Sequence, residues 1–259
     1  MFRYIRIAAL LTILAVVAGN QFLTKSRFSS WDGSLWITIY PVLAESDDRV
    51  RQYAGSLASS QFEDINLFLK QQARVYGKQL DRPVVFQVAQ PLTRQLPPVP
   101  VESSGLGVAI WSLKMRWWAW RYGRDDSLPP ADIKMFVRYQ NDNPNGVLER
   151  SVGIQNGSYG IVNAVASRMM ASRNRIIIAH ELLHILGASD KYDLSTGQPI
   201  PPEGLADPHQ KPLYPQRRAE IMAGRIAVSS RRWVQPGNLE QCMVGEATAM
   251  EIGWLKPAG

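Results

Sequence analysis

The chain has 259 residues, 46% of them hydrophobic and 20% charged, and a formal net charge of +7, which fits one core of ordinary size and excludes a disordered or collagen-like chain. The basic residues are scattered, with no run longer than two and no nucleic-acid motif beside them, so a nucleic-acid-binding module is excluded and the charge suits an anionic surface or acidic partners. Cys242 is the only cysteine, which rules out an intrachain disulfide and any cysteine-based zinc ligand set.

Met1 to Arg6 is positively charged and Ile7 to Ala18 is mostly apolar, the pattern of a secretory leader. Val17-Ala18-Gly19 is a poor cleavage site; uncut, Ile7 to Leu23 gives about 17 residues, the short end of what spans a bilayer. Residues 1–23 are therefore read as a signal peptide or an N-terminal membrane anchor. Either way the remainder is exported, anchored through residues 7–23 or secreted. Residues 24–32 read as a short polar linker before one domain, 33–259.

Leu35 to Val42 alternates and is rich in β-branched and aromatic residues, so it reads as a strand. Ser46-Asp47-Asp48 opens a helical spacing that runs to Tyr76, as one long helix or two shorter ones. Val84–Val88 is a second strand and Pro91 to Ser104 a loop. Gly107 to Tyr122 reads as a helix with Trp111, Met115, Trp118 and Tyr122 on one face and Trp117 and Trp120 off it. That helix either packs on the sheet or meets a membrane surface or substrate. Ile133–Tyr139 is a third strand, and Arg150 to Gln155 and Tyr159 to Ala166 are two more around Asn156-Gly157.

The most informative stretch follows: His180-Glu181-Leu182-Leu183-His184-Ile185-Leu186-Gly187-Ala188-Ser189-Asp190. Its apolar spacing predicts a helix from about Arg173 to Leu186, capped by Ser172 or Asn174. Two of the chain's three histidines are four apart on it, so they share a face and can hold one zinc. Glu181 is turned to the side of the pair, within reach of a water there. Gly187 can take positive φ and end the helix, letting Asp190 return to the same point. His209 is the competing third imidazole. Downstream, Lys191 to Gln216 reads as an irregular loop, with Asp193 as a turn or cap residue or a further ligand. A closing helix is expected from Asn238 or Glu240 to Trp254, beginning as late as Gly245.

His-Glu-x-x-His-x-x-Gly-x-x-Asp resembles the metzincin zinc metallopeptidases, in the snapalysin-like variant with Asp as third ligand. Glu220-Ile221-Met222-Ala223-Gly224 is similar to the methionine turn that lies beneath the metal in that clan. The likeness implies an α+β fold: a twisted mixed β-sheet with long helices, an active-site helix, and a small C-terminal subdomain below the cleft. On it, 33–187 is the upper subdomain and 188–259 the lower. It implies one catalytic zinc on His180, His184 and Asp190, with Glu181 as general base and Met222 in the turn. It also implies a peptide or protein substrate paired along an edge strand, Ser151, Val152, Gly153, Ile154 and Gln155. Tyr192 and Tyr214 are candidate transition-state donors, since Gly224 occupies the place where some metzincins carry a tyrosine. The competing class is a non-catalytic exported protein whose zinc site or tryptophan-rich segment binds peptides or a membrane surface.

Overall fold

The computed structural model describes residues 19, 26–44, 47–98, 105–141, 152–154 and 158–256. Apart from residue 19, the expected leader lies outside them, as do Ser151, Gln155 and the expected turn at Asn156-Gly157. Among the described residues no helix is long and apolar enough to cross a membrane.

A five-stranded sheet forms the frame, built from β1 (Leu35–Leu43), β2 (Val84–Val88), β3 (Ile133–Gln140), β4 (Val152–Ile154) and β5 (Tyr159–Val165), in the order β2-β1-β3-β5-β4. β1 pairs in parallel with β2 and β3, and β3 with β5. Only β4, at the edge, runs antiparallel, with Gly153 opposite Gly160. Helices alternate with these strands: α1 (Asp48–Gly55), α2 (Glu63–Val75), α3 (Gly105–Tyr122), α4 (Ala171–Ile185) and α5 (Glu246–Glu251). The class is therefore mixed α/β around a largely parallel sheet, rather than α+β with segregated elements.

The near-continuous apolar run of β1 follows from burial on both faces. Leu35, Ile37, Ile39 and Leu43 face a core shared with Val50 of α1, Ile65 and Leu69 of α2 and Leu182 of α4. Tyr40 and Val42 face the other way, onto Met115, Trp118 and Ala119 of α3. The period of two thus sorts the helices onto two sides. Of the two readings of α3, packing on the sheet is the one observed: Trp118 meets Phe136 edge-on at 5.1 Å, and Trp117 and Trp120 are exposed.

The helical spacing between Asp48 and Tyr76 resolves into α1, a 3₁₀ turn at Ser59–Phe62, and α2, with the Asp47 carboxylate capping α1 by accepting from Arg49 N at 2.7 Å. The linker expectation for 24–32 needs correcting. Residues 26–30 are helical, Phe28 and Trp31 are buried, and the Trp31 indole donates to the Ile252 carbonyl at 2.7 Å. Two large aromatics among polar neighbours dock the segment, each burying roughly 150–250 Å². The closing helix takes the later of its expected starts. Leu239–Gln241 is a 3₁₀ turn capped by Asn238, Cys242–Met243 is strand, and α5 starts after Gly245.

Candidate metal centre

α4 carries two of the candidate ligands. Ile178, Ala179, Leu182 and Leu183 are fully buried, which fixes the helix against β5 and β4 and aims His180 and His184 away from the sheet. Neither Ser172 nor Asn174 is its cap; the capping position is Met170, with no side-chain bond. Asn174 instead lies inside the first turn and pairs with the backbone of Val165, donating from Nδ2 to its carbonyl at 2.8 Å and accepting from its N–H at 3.2 Å. A buried amide that ties helix to strand end satisfies both of its polar functions, which a capping role would not do at this depth.

At the other end Gly187 takes φ +116, and Ala188 N–H closes on the Leu183 carbonyl at 2.9 Å. A Cβ there would approach the Glu251 carbonyl oxygen to 3.1 Å, so glycine serves both the left-handed turn and the close approach. The reversed chain is then pinned. Glu251 accepts from Ser189 N at 3.0 Å and from the buried Lys191 Nζ at 2.7 Å. Between those two anchors Asp190 is carried to the histidines.

Asp190 Oδ1 lies 3.1 Å from His184 Nε2 and 3.3 Å from His180 Nε2. The candidate ligand atoms of the three residues fall within 4.8 Å of one another, the one group among the described residues that could hold a metal ion. Both Nδ1 atoms face away, toward backbone carbonyls: His180 to Ile221 at 2.9 Å and His184 to Ala188 at 2.8 Å. A carbonyl can only accept, so each Nδ1 carries a hydrogen. In the neutral rings both Nε2 lone pairs therefore point at a carboxylate, an arrangement that requires a cation, either a proton or a metal ion. Burial of His180 opposes its protonation, yet Asp190, Glu181 and the Ile221 carbonyl outweigh this and hold its pKa above the ordinary value. Burial likewise works against the Asp190 carboxylate, but the two histidines hold it well below the usual range.

The turn beneath the helix is built around a buried acid. β6 (Ala219–Glu220) pairs in parallel with Cys242–Met243, and the chain then turns so that Ala223 and Gly224 N–H both close on the Glu220 carbonyl, with Gly224 at φ +65. The Glu220 side chain is fully buried and accepts from Ala223 N at 2.9 Å, Gly245 N at 3.1 Å and Thr248 Oγ1 at 2.8 Å. Burial pushes its pKa up, against the pull of those bonds. The turn grips two sides of the site. The Ile221 carbonyl orients His180, and the Met222 carbonyl accepts from Lys191 N at 3.1 Å, beside Asp190. The Met222 side chain is fully buried below.

His180 opens onto a cleft of about 250 Å³, lined also by Tyr192, Ala223, Gly224 and Arg225. Glu181, the next residue on α4, is buried, and its charge acts on His180. Of the other residues singled out, Val152, Gly153 and Ile154 form the edge strand β4. Tyr192 reaches the cleft and Tyr214 does not. His209 lines a separate cavity with Tyr76 and Met243. Asp193 is a turn residue, its carboxylate accepting from Ser195 N and Thr196 N at 3.0 and 2.8 Å. Sequence reasoning missed Arg225, Glu220 as the turn's anchor, and the Lys191–Glu251 pair. Each depends on a partner distant in sequence, so no local spacing marks it.

No protein-family model and no curated protein matches the chain. Among solved structures it is similar to one chain from the structure of a chaperone–substrate complex, at 13% identity and a TM-score of 0.38. That alignment covers 85% of this chain and 34% of the other, so this chain spans about a third of the length of the one it matches. A likeness of that degree assigns neither a fold family nor an activity.

Proposed function

We propose that this protein is a zinc-dependent endopeptidase of metzincin type, with His180, His184 and Asp190 as ligands and Glu181 as general base. The observation that carries the reading is the two Nδ1 hydrogens held by the Ile221 and Ala188 carbonyls, which leaves both Nε2 atoms aimed at one carboxylate. Metal-binding histidines are oriented in this way by their outer partners. Two imidazoles and one carboxylate suit zinc and leave a coordination position open. An ion held there supplies Lewis acidity, lowering the pKa of a water toward ~7 and polarising a carbonyl.

The chain's own groups do the rest. Glu181 takes the proton of the attacking water and passes it to the leaving amine. Burial keeps that carboxylate away from bulk water. The edge of β4, which pairs with no further strand among the described residues, offers backbone groups to an extended peptide by strand addition, beside α4. Asp190, as an anionic ligand, would make an ion held there a weaker Lewis acid than a third histidine would. The leader read in the sequence places this activity outside the cytoplasm.

The test is hydrolysis of a mixed peptide library by the purified chain with zinc added, followed by mass spectrometry, with Glu181→Ala in parallel. New internal cleavages by the parent chain alone are expected. No cleavage by a folded, zinc-loaded chain would leave the competing reading, a non-catalytic peptide-binding protein.

A further inference from the structure

Arg225 lines the same cleft as His180, and its surroundings differ from those of an ordinary surface arginine. The hairpin of β7 (Ile226–Ala227) and β8 (Trp233–Val234) folds Trp233 back over it, with the guanidinium carbon 4.4 Å from that ring's centroid. Tyr192, two residues beyond Asp190, lies against it at 4.7 Å. Gly197, at φ +71, closes a third side: a Cβ there would come within 2.8 Å of the guanidinium. No described carboxylate forms an ion pair with Arg225 and no described group accepts a hydrogen bond from it. The aromatic faces cover the guanidinium plane without using its N–H edge. Burial makes the charge costlier, and Tyr192 and then Asp190 work against that cost. A half-buried arginine immobilised in this way has its bidentate donors ready for an anion, and holding it rigid reduces the entropy lost on binding.

We propose that Arg225 is a carboxylate-recognition residue of this cleft, binding a carboxylate of the peptide close to the metal centre. The identity of the ligand as a peptide rests on the function proposed above; the anion site itself does not. The carboxylate belongs either to the peptide's C-terminus or to an acidic side chain, and apolar Ile176, Ile177 and Pro236 take the neighbouring part of the ligand.

The experiment is calorimetric titration of the zinc-loaded Glu181→Gln chain, which does not turn the ligand over. Three peptides are compared: acetyl-Leu-Ala-Phe as free acid, its C-terminal amide, and the amide with Asp replacing Ala. At least one carboxylate-bearing peptide is expected to bind about 10-fold or more tightly than the uncharged amide. Preference for the free acid identifies the terminal carboxylate; preference for the Asp amide identifies the side chain. Adding Arg225→Gln should abolish the difference and Arg225→Lys should keep part of it. Equal binding of all three peptides, including none, overturns the proposal, and the parent comparison needs no Arg225 variant to be folded. So does a preference unchanged in Arg225→Gln, which would mean that the metal or Arg173, on the same cleft, takes the carboxylate. Carboxylate-dependent binding without hydrolysis by the unsubstituted chain keeps the Arg225 site and removes the peptidase. Hydrolysis indifferent to carboxylates, with equal binding, does the reverse.

Discussion

The Ile221 carbonyl oxygen lies 2.9 Å from Nδ1 of His180, so a turn 41 residues downstream decides which nitrogen of that ring carries its hydrogen. The turn's neighbouring carbonyl, that of Met222, holds Lys191 N–H at 3.1 Å. One short loop thus positions His180 on the helix and the chain that delivers Asp190. This gives the turn at 220–224 a function that does not depend on the Met222 sulfur.

Glu220 is what keeps that turn in place. Glu220→Ala would leave Gly245 N and Thr248 Oγ1 buried without their acceptor, at a cost of about 3 kcal/mol. Urea unfolding should show that loss as a lower midpoint at unchanged slope, and zinc affinity should fall with it. A variant as stable as the parent would mean that the turn is held by its own backbone bonds.

Glu181→Ala should retain zinc and lose about 10²- to 10⁴-fold in hydrolysis rate, the usual range for a general base. Rates within a few-fold of the parent would remove Glu181 from the reaction. Loss of zinc instead would reassign it as a ligand.

Asp190→His should keep zinc, because the Gly187 turn and the Ser189–Glu251 and Lys191–Glu251 bonds still deliver position 190 to the two histidines. Metal titration monitored by a competing chelator measures this. Complete loss of zinc would count against Asp190 as third ligand.

The acid limb of stability should involve Glu251. Partial burial raises its pKa, but Lys191 and Ser189 outweigh this and hold it below the ordinary value. A depressed folded-state pKa stabilises the fold above the unfolded value, about 4.3, and that contribution disappears as pH falls through the folded one. Glu251→Gln should therefore lower the melting temperature at pH 7, and the difference from the parent should narrow below about pH 4. A constant difference across that range would mean that the pair contributes packing rather than charge.

Much of the frame was legible because burial writes directly into sequence. The run from Leu35 to Val42 reads as a strand from its β-branched and aromatic residues, and His180, His184 and Gly187 sit at spacings that one helix and its end explain. Asp190 followed from the same stretch. Features set by distant partners were not legible. Asn174 carries the signature of a cap, but the end of β5 takes its amide. Residues 24–32 look polar until Trp31 is seen against Trp254, 5.5 Å between ring centres. Arg225 is one arginine among many until the β7–β8 hairpin stacks Trp233 on it.

The measurement that bears most directly on the central claim is the zinc content per purified chain, by elemental analysis after metal reconstitution, with Asp190→Ala beside it. The account predicts one zinc per chain, held tightly in the parent and at least about 10-fold more weakly in the variant. A folded parent chain that takes up no zinc would contradict it: the two Nε2 atoms would then meet Asp190 through a proton, and the helix would serve only the core.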